Sequence, residues 1–416
     1  MLPQLRRLEL EFGDRLAVIG VHAGKFARER ETGAIRSAVA REGIGHPVVN
    51  DQAFRIWQSF AVRAWPTLVL ISAQGRVVAR QEGEGPYADL RERVRREVAP
   101  SQGRRASTAA AVQDPTSGLL RFPGGIAFTD DGTVYLSDSG HHRVLAWRGG
   151  EIRAAWGDGV PGLVDGEPQA ARLHGPQGLA AIGGEIWVAD STNHALRRID
   201  RATGRMATAV RSMAEPPDDA PLGPGTLRSP WALASSGEAV FIAAAGSHQI
   251  WRLDRTAGTL APYAGSGYEA LHDADLRRAR LAQPMALAVH GGDLVVADAE
   301  SSAVRVVPAS GQGRVGTLVG TGLFDFGDRQ GAFQDTLLQH PQGIALLGRD
   351  IYVADTYNDQ IVRLDLHARE SSVALAGLRE PTALCAHDDR LYIADTGNHR
   401  ILRWYPGAEA AEVFIA

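Results

Sequence analysis

Residues 391–404 read LYIADTGNHRILRW, two apolar segments joined by a polar turn that contains Asp395 and His399. Similar strings return along the chain, and each follows a proline, two small or variable residues and a short apolar pair. The opening segments are PGGIA (123–127), PQGLA (176–180), PWALA (230–234), PMALA (284–288), PQGIA (341–345) and PTALC (381–385). The second segments are VYLSDS, IWVADS, VFIAAA, LVVADA, IYVADT and LYIADT. Copies in register at this spacing indicate a repeat architecture.

Each copy predicts several short strands. A third apolar segment follows every polar turn, and many copies add a fourth, such as IRAAW or RMATAV. Four strands in each of six copies predict a six-bladed β-propeller over residues 119–416. The second segment is apolar at consecutive positions, as expected of a sheet that is packed on both faces. The string ADTGNHRI (394–401) closely resembles the NHL repeat motif, and this resemblance implies the same propeller fold.

Residues 1–98 alternate strand and helix patterns instead. The predicted order is a buried strand at 15–23, a helix at 26–42, a short strand at 46–50, a helix at 52–61, a β-hairpin at 68–83 and a helix at 86–98. This order, and above all Trp65-Pro66-Thr67 before the run LVLI, resembles the thioredoxin superfamily. The resemblance implies an α/β thioredoxin-like domain in which Pro66 follows a cis peptide bond. It also implies that Trp65, Pro66 and Thr67 bind an extended peptide by strand addition.

The thiols of that superfamily are missing from this domain. Leu5, Leu8 and Phe12 predict the second half of the helix that carries the Cys-x-x-Cys motif in thioredoxins. Thiol–disulfide exchange needs an attacking thiolate, and the domain contains no cysteine. Either the domain is inactive in redox chemistry, or Met1 is an internal methionine of a longer gene product. We favour the second explanation, because loss of a first strand exposes an unpaired edge and apolar surface.

Net charge and the distribution of apolar residues bear on which partners and which compartment we expect for this protein. The net charge of −4 gives no bulk attraction to nucleic acid or to a membrane surface. No apolar run is long enough to span a membrane, and the first residues do not resemble a secretory signal, so we expect a cytoplasmic protein. Lys25 is the only lysine, a bias typical of a GC-rich bacterial gene. Residues 99–118, rich in Ser, Pro, Ala and Gly, predict a linker between the two domains.

A recurring aspartate ends the second segment of most copies. The positions are Asp138, Asp190, Asp298, Asp355 and Asp395, with Ala244 in the third copy. We expect each carboxylate to accept backbone N–H groups from the turn that follows it, rather than to bind a metal or act as a base. The turn histidines are expected to be structural as well, and they are His142, His194, His248 and His399. Cys385 aligns with the alanines of the other copies, which predicts a buried, unreactive thiol.

Three long loops between copies are the sequence's candidates for a ligand surface. They carry Gly and Asp at similar spacing and lead to the proline of the next copy, and their acids are Asp158, Asp165, Asp273 and Asp328. Loops of this kind line a rim of a propeller, where binding sites usually lie. A purely structural role for these loops is an equal alternative. No catalytic residue, metal ligand or cofactor is predicted, because the known catalytic motifs are absent from the sequence.

The leading functional hypothesis is a redox-linked protein-interaction module with a protein or peptide partner, non-catalytic as encoded. The alternative is a propeller enzyme, a lyase or hydrolase, with a metal in its channel. A scaffold without any redox role is a third possibility. The segment that closes the sixth blade is also open, since either EVFIA (412–416) or TAAAV (108–112) can supply its outer strand.

Overall fold

The computed structural model describes residues 1–83, 85–98, 118–211 and 226–416. They form two compact units, one built from residues 1–98 and the other from the described part of residues 118–416. The predicted linker, residues 99–118, lies outside the described residues except for Gly118.

The first unit is a small α/β fold whose element order is the predicted one. Its elements are α1 (Leu2–Phe12), β1 (Gly20–His22), α2 (Thr32–Arg41), β2 (Val48–Asn50), α3 (Arg55–Ser59), β3 (Thr67–Ile71), β4 (Val77–Glu82) and α4 (Tyr87–Val98), with 3-10 turns at Gly13–Arg15 and Arg28–Arg30. Strand β1 pairs with β2 in parallel, and β3 pairs with β4 in antiparallel orientation. Among the described residues these remain two separate two-stranded sheets, and the strand predicted at 15–23 is limited to β1.

The core of this unit lies between α1 and α4. Leu8 and Phe12 recur on one face of α1 and are buried against Leu90 and Val94 of α4, as the periodicity of the apolar residues predicts. The peptide bond between Trp65 and Pro66 is cis, in agreement with the thioredoxin resemblance.

The second unit contains six antiparallel sheets among the described residues, five of them four-stranded and one five-stranded, numbered here as blades 1 to 6 in chain order. The first strands are Pro123–Phe128, Pro176–Ile182, Pro230–Ser236, Pro284–His290, Gly343–Leu347 and Pro381–His387. The second strands are Val134–Asp138, Glu185–Asp190, Ala239–Ala244, Asp293–Asp298, Asp350–Asp355 and Arg390–Asp395. The third strands are Arg143–Arg148, Ala195–Asp200, Gln249–Asp254, Ala303–Pro308, Gln360–Asp365 and Arg400–Trp404. The fourth strands are Glu151–Trp156, Met206–Arg211, Thr259–Ala264, Gly316–Val319, Glu370–Leu375 and Glu412–Ile415, and Gly331–Ala332 adds a fifth strand to blade 5.

The six blades close into a ring. The first strands of neighbouring blades contact one another all the way round, and that of blade 6 contacts that of blade 1. Residues of the second strands, such as Ile186 and Val188, are fully buried, because each blade is covered on both faces by its neighbours. The fourth strand of blade 6 is Glu412–Ile415, so EVFIA closes this blade. The other candidate, TAAAV, lies outside the described residues.

Close approach of the first strands explains the small residues two positions after each opening proline. A Cβ atom on Gly178 would lie 2.5 Å from the carbonyl oxygen of Trp231 in the next blade. Only glycine fits there without a shift of the backbone. The small residue at this position of the repeat is therefore explained by the contact between the first strands of neighbouring blades.

Candidate functional site

The recurring aspartates are structural braces within their blades. All of them are fully buried. In blade 2, one carboxylate oxygen of Asp190 accepts the backbone N–H of His174 at 2.8 Å, and the other accepts side-chain donors of Asn193 and Arg197. The backbone donor lies two residues before the opening proline in every such blade, as Arg121, His174, Ala282, Gln339 and Arg379. The prediction that the backbone donors come from the turn after each aspartate was therefore wrong. That turn donates through side chains, such as that of Asn193.

A second set of hydrogen bonds joins each blade to the next. Four residues after each aspartate position, a residue in the left-handed conformation accepts the backbone N–H of the residue just before the next opening proline. The pairs are His142–Gly175, His194–Ser229, His248–Gln283, Ser302–His340, Asp359–Glu380 and His399–Phe122, at 2.8–3.3 Å. We name these contacts the blade latches. Each histidine accepts through Nδ1, so it must be neutral with its proton on Nε2.

The pKa values of two latch histidines fit this neutral state. Burial lowers the pKa of His142 to about 4, and burial also lowers the pKa of His248. Their turn role was predicted from sequence, but the contact with the next blade was not. The sequence signal for this contact is a side chain that can accept a hydrogen bond, His, Ser or Asp, four residues after the aspartate position of every copy.

The four rim acids predicted as a ligand surface are bonded to their own loops and blades. Asp165 and Asp273 pair with Arg197 and Arg305, two fully buried arginines, at 2.8 and 2.7 Å. Asp158 pairs with Arg172 at 2.8 Å. Asp328 accepts from the Gln330 and Gln360 side chains at 3.1 and 2.9 Å. The four acids lie in three different loops, and the structure does not bring them together in one site.

These loops protect sheet edges. Gly166 exchanges backbone hydrogen bonds with Met206, the first residue of the outer strand of blade 2. Asp275 forms an isolated bridge with Arg314 in the connection to the outer strand of blade 4, and Gly331–Ala332 pairs with the outer strand of blade 5. Covering an outer edge prevents pairing with other chains.

Blade 5 lacks the cation that accompanies the other buried aspartates. Gln360 donates to both Asp355 and Asp328, at 3.1 and 2.9 Å, where blades 1 and 6 carry an arginine beside the aspartate. Burial raises the pKa of Asp355 to about 7. Among the described residues, no group of three or more His, Cys, Asp or Glu side chains is arranged to hold a metal ion.

The Trp65, Pro66 and Thr67 segment forms a continuous surface at the start of β3. The Trp65 ring is 50% exposed, its Nε1–H donates to the carbonyl of Ala23 at 2.7 Å, and its ring packs on Trp57 with centroids 4.5 Å apart. The Thr67 hydroxyl donates to the Ala64 carbonyl at 2.7 Å. Strand β3 pairs only with β4 among the described residues, so its other edge has no strand partner there.

Cys385 lies in the first strand of blade 6. Burial raises the pKa of its thiol to about 12. The expectation of an unreactive thiol therefore agrees with its surroundings. No helix among the described residues has the length and apolar character needed to cross a membrane.

Six antiparallel sheets whose first strands close into a ring define this chain as a β-propeller protein. The family model for the NHL repeat matches residues 120–147, 173–199 and 378–404. NHL repeat-containing protein 2 of Homo sapiens is 32% identical over 463 aligned residues, covering 96% of this chain and 64% of that protein. Protein SUPPRESSOR OF QUENCHING 1, chloroplastic, of Arabidopsis thaliana is 34% identical over 96% of this chain and 42% of that protein. The chain thus contains sequences that match the NHL repeat, and it is similar over almost its whole length to these relatives.

The chain thus spans about two fifths to just under two thirds of the length of these relatives. A solved structure of a protein of unknown function from Bacteroides thetaiotaomicron covers 70% of this chain and 71% of its own, with 13% identity and a TM-score of 0.52. That likeness concerns the fold alone.

Proposed function

We propose that this protein is a cytoplasmic, redox-linked protein-interaction module. In this proposal residues 1–98 are a thioredoxin-like domain, residues 99–118 a linker, and residues 119–416 a rigid propeller platform. The thioredoxin-like domain binds an extended peptide at Trp65, Pro66 and Thr67. It performs no thiol–disulfide exchange as encoded, because the sequence supplies no thiol there.

The observation that carries the proposal is the half-exposed Trp65 ring beside the open edge of β3. An exposed tryptophan held by a hydrogen bond and a ring contact offers a large contact area with little ordering cost. An open strand edge offers backbone donors and acceptors to an extended peptide. The two features adjoin at Thr67, the first residue of β3.

The blade latches support the platform part of the proposal. Each latch ties a left-handed residue of one blade to the next blade, and the His399–Phe122 latch ties the last blade to the first. A ring closed in this way presents its surface without large internal motion. The alternative, a propeller lyase or hydrolase with a channel metal, requires a stoichiometric divalent ion, which elemental analysis of the purified chain detects.

A peptide-display screen on the full chain tests the proposal. We expect enriched peptides whose affinity falls about tenfold or more in Trp65→Ala. Tyr268→Ala is the matched control, because Tyr268 is an exposed aromatic residue of the propeller, at 67%. The redox link predicts that a cysteine-containing ligand binds with different affinity in its reduced and disulfide forms. Enriched peptides that bind Trp65→Ala as well as the unchanged chain contradict the peptide site.

A further inference from the structure

A groove of about 540 Å³ lies at the outer edge of the propeller between blades 1 and 2. Its lining comes from the second to fourth strands of blade 1, from Pro168, and from the Arg201–Gly204 turn of blade 2. We name it the arginine groove, because Arg148, Arg153 and Arg201 line it. Its volume lies within the range of ligand sites.

The floor of the arginine groove is aromatic and fixed. Tyr135 and Trp156 lie with their ring centroids 6.0 Å apart, and each is less than 10% exposed. The Trp156 Nε1–H donates to the carbonyl of Gly204 at 2.7 Å, which holds the blade 2 turn against blade 1.

The walls of the arginine groove are cationic. The side chains of Arg148 and Arg153 are 54% exposed, and that of Arg201 is 28% exposed. Asp131 lies 3.6 Å from Arg148 and 3.3 Å from Arg201, and Glu151 lies 3.0 Å from Arg153. The three guanidinium groups thus outnumber the two nearby carboxylates. A guanidinium carries five N–H donors, and the ion pairs named here, with the bond from Arg153 Nε to the Arg148 carbonyl at 3.2 Å, engage only part of them.

Comparison with the other blades shows that the repeat does not require these residues. Trp156 pairs with the second residue of the third strand, and the equivalent residues are Val210, Ala264, Val319, Leu375 and Ile415. Arg148 ends the third strand, where blades 2, 3 and 5 have Asp200, Asp254 and Asp365. Those aspartates accept backbone N–H groups of the next turn. Blade 1 thus differs from the other blades at two positions of this groove. Trp156 is larger than its counterparts, and Arg148 is positively charged where three blades have an aspartate.

We infer that the arginine groove binds an acidic peptide segment of a protein partner. The guanidinium groups bind its carboxylates through charge-assisted hydrogen bonds, and an apolar side chain of the peptide covers the small part of Tyr135 and Trp156 that is exposed, 6% and 3% of these residues. Tryptophan, tyrosine and arginine are the residues that most often dominate the energy of protein interfaces. The choice of a peptide over a small anion rests on the proposed platform function of the propeller.

Binding of a labelled Glu-Leu-Glu-Leu-Glu-Leu peptide to the full chain, measured by fluorescence anisotropy, tests this inference. We expect binding that weakens between 50 and 300 mM salt, and no comparable binding of the Gln-Leu analogue. Arg148→Asp and Trp156→Val introduce the residues of blade 2 at these positions, and each should weaken binding about tenfold or more. Arg153→Gln is a further variant that leaves the blade contacts of Trp156 intact.

Arg252→Glu is the matched control, because Arg252 is a 43% exposed arginine on the third strand of blade 3. It should bind the peptide within about twofold of the unchanged chain. The inference is overturned if Arg148→Asp and Arg153→Gln bind the peptide as tightly as the unchanged chain. It is also overturned if inorganic phosphate, at the concentration of the peptide, competes fully with the peptide. Trp65→Ala should leave binding of this peptide unchanged. A negative result for the arginine groove is therefore distinguishable from a negative result for the peptide site at Trp65.

Discussion

The Nδ1 atom of His399 accepts the backbone N–H of Phe122 at 3.1 Å, and this bond joins the last blade of the propeller to the first. The His399 ring also packs edge-on against the Phe122 ring, with centroids 4.5 Å apart. Beside it, the Thr396 hydroxyl donates to the carbonyl of Pro123 at 2.7 Å. Residues far apart in sequence therefore close the ring with the same latch that links consecutive blades.

Removal of this latch should destabilise the closed ring. His399→Ala leaves the buried N–H of Phe122 without its acceptor, which costs about 1–3 kcal/mol of unfolding free energy. His399→Asp copies the latch of blade 5, where Asp359 accepts the N–H of Glu380, and should recover part of the loss. Urea unfolding measures both. His367→Ala, at an exposed turn, should change stability by less than about 0.5 kcal/mol.

The latch histidines should also make the propeller sensitive to acid. The pKa of His142 is about 4 in the folded chain, below the value of 6.5 expected when unfolded, so the unfolded chain binds more protons between these values. Stability should then fall as the pH drops from about 6.5 to 4, and be fully present above that range. Urea midpoints at several pH values measure the slope. His142→Asn, which has an acceptor that does not titrate, should show a shallower slope between pH 6.5 and 4.

The sequence predicts the blades well and the links between them poorly. Strand periodicity depends on neighbouring residues, so the order of elements could be predicted locally. The sequence left EVFIA and TAAAV open as the closing strand of blade 6, and the structure shows Glu412–Ile415 in that place. The latch of His142 depends on Gly175, and the partner of Asp165 is the buried Arg197. Contacts over such separations do not show in neighbouring residues, and the latch shows only as an acceptor at the same position of every copy when the copies are aligned. The rim acids stay a predicted ligand surface, and the sequence could not separate that role from loop bracing, because both produce the same Gly and Asp composition.

The arginine groove was not predicted, since its residues appear in the sequence as ordinary strand ends. Its signal becomes visible only when the repeats are aligned by their pairing registers, where Trp156 and Arg148 stand out from their counterparts. The site at Trp65 could be proposed from sequence, because its three residues are consecutive.

Cys385 should react slowly with thiol reagents in the native chain. A thiol pKa of about 12 instead of 9 reduces the thiolate fraction at pH 8 about a thousandfold. Absorbance of a disulfide reagent should report slow labelling in buffer and fast labelling in guanidinium chloride. The native rate should keep rising with pH up to 10. Cys385 is half-buried by solvent accessibility, so the test concerns the raised pKa of its thiol. A native rate equal to that of the unfolded chain at pH 8 contradicts this raised pKa.

Blade 5 offers a charge-restoring substitution. Gln360→Arg places a guanidinium five residues after Asp355, as Arg143 and Arg400 are placed after the aspartates of blades 1 and 6. The folded-state pKa of Asp355, about 7, exceeds its unfolded value near 3.8, so this buried carboxyl reduces stability increasingly as the pH rises through this range. A paired cation lowers that pKa and removes the loss. We therefore expect Gln360→Arg to raise the melting temperature at pH 8, with a smaller gain at pH 5.

The matched control lies in blade 3, where Gln249 occupies the same position but Ala244 replaces the aspartate. Gln249→Arg buries a guanidinium that has no carboxylate from its own blade, and removing one partner of a buried ion pair costs about 3–5 kcal/mol. Differential scanning calorimetry should thus show opposite shifts for the same substitution in the two blades. Stabilisation by Gln249→Arg, or a gain from Gln360→Arg that does not depend on pH, would mean that the Asp355 carboxylate does not govern the effect.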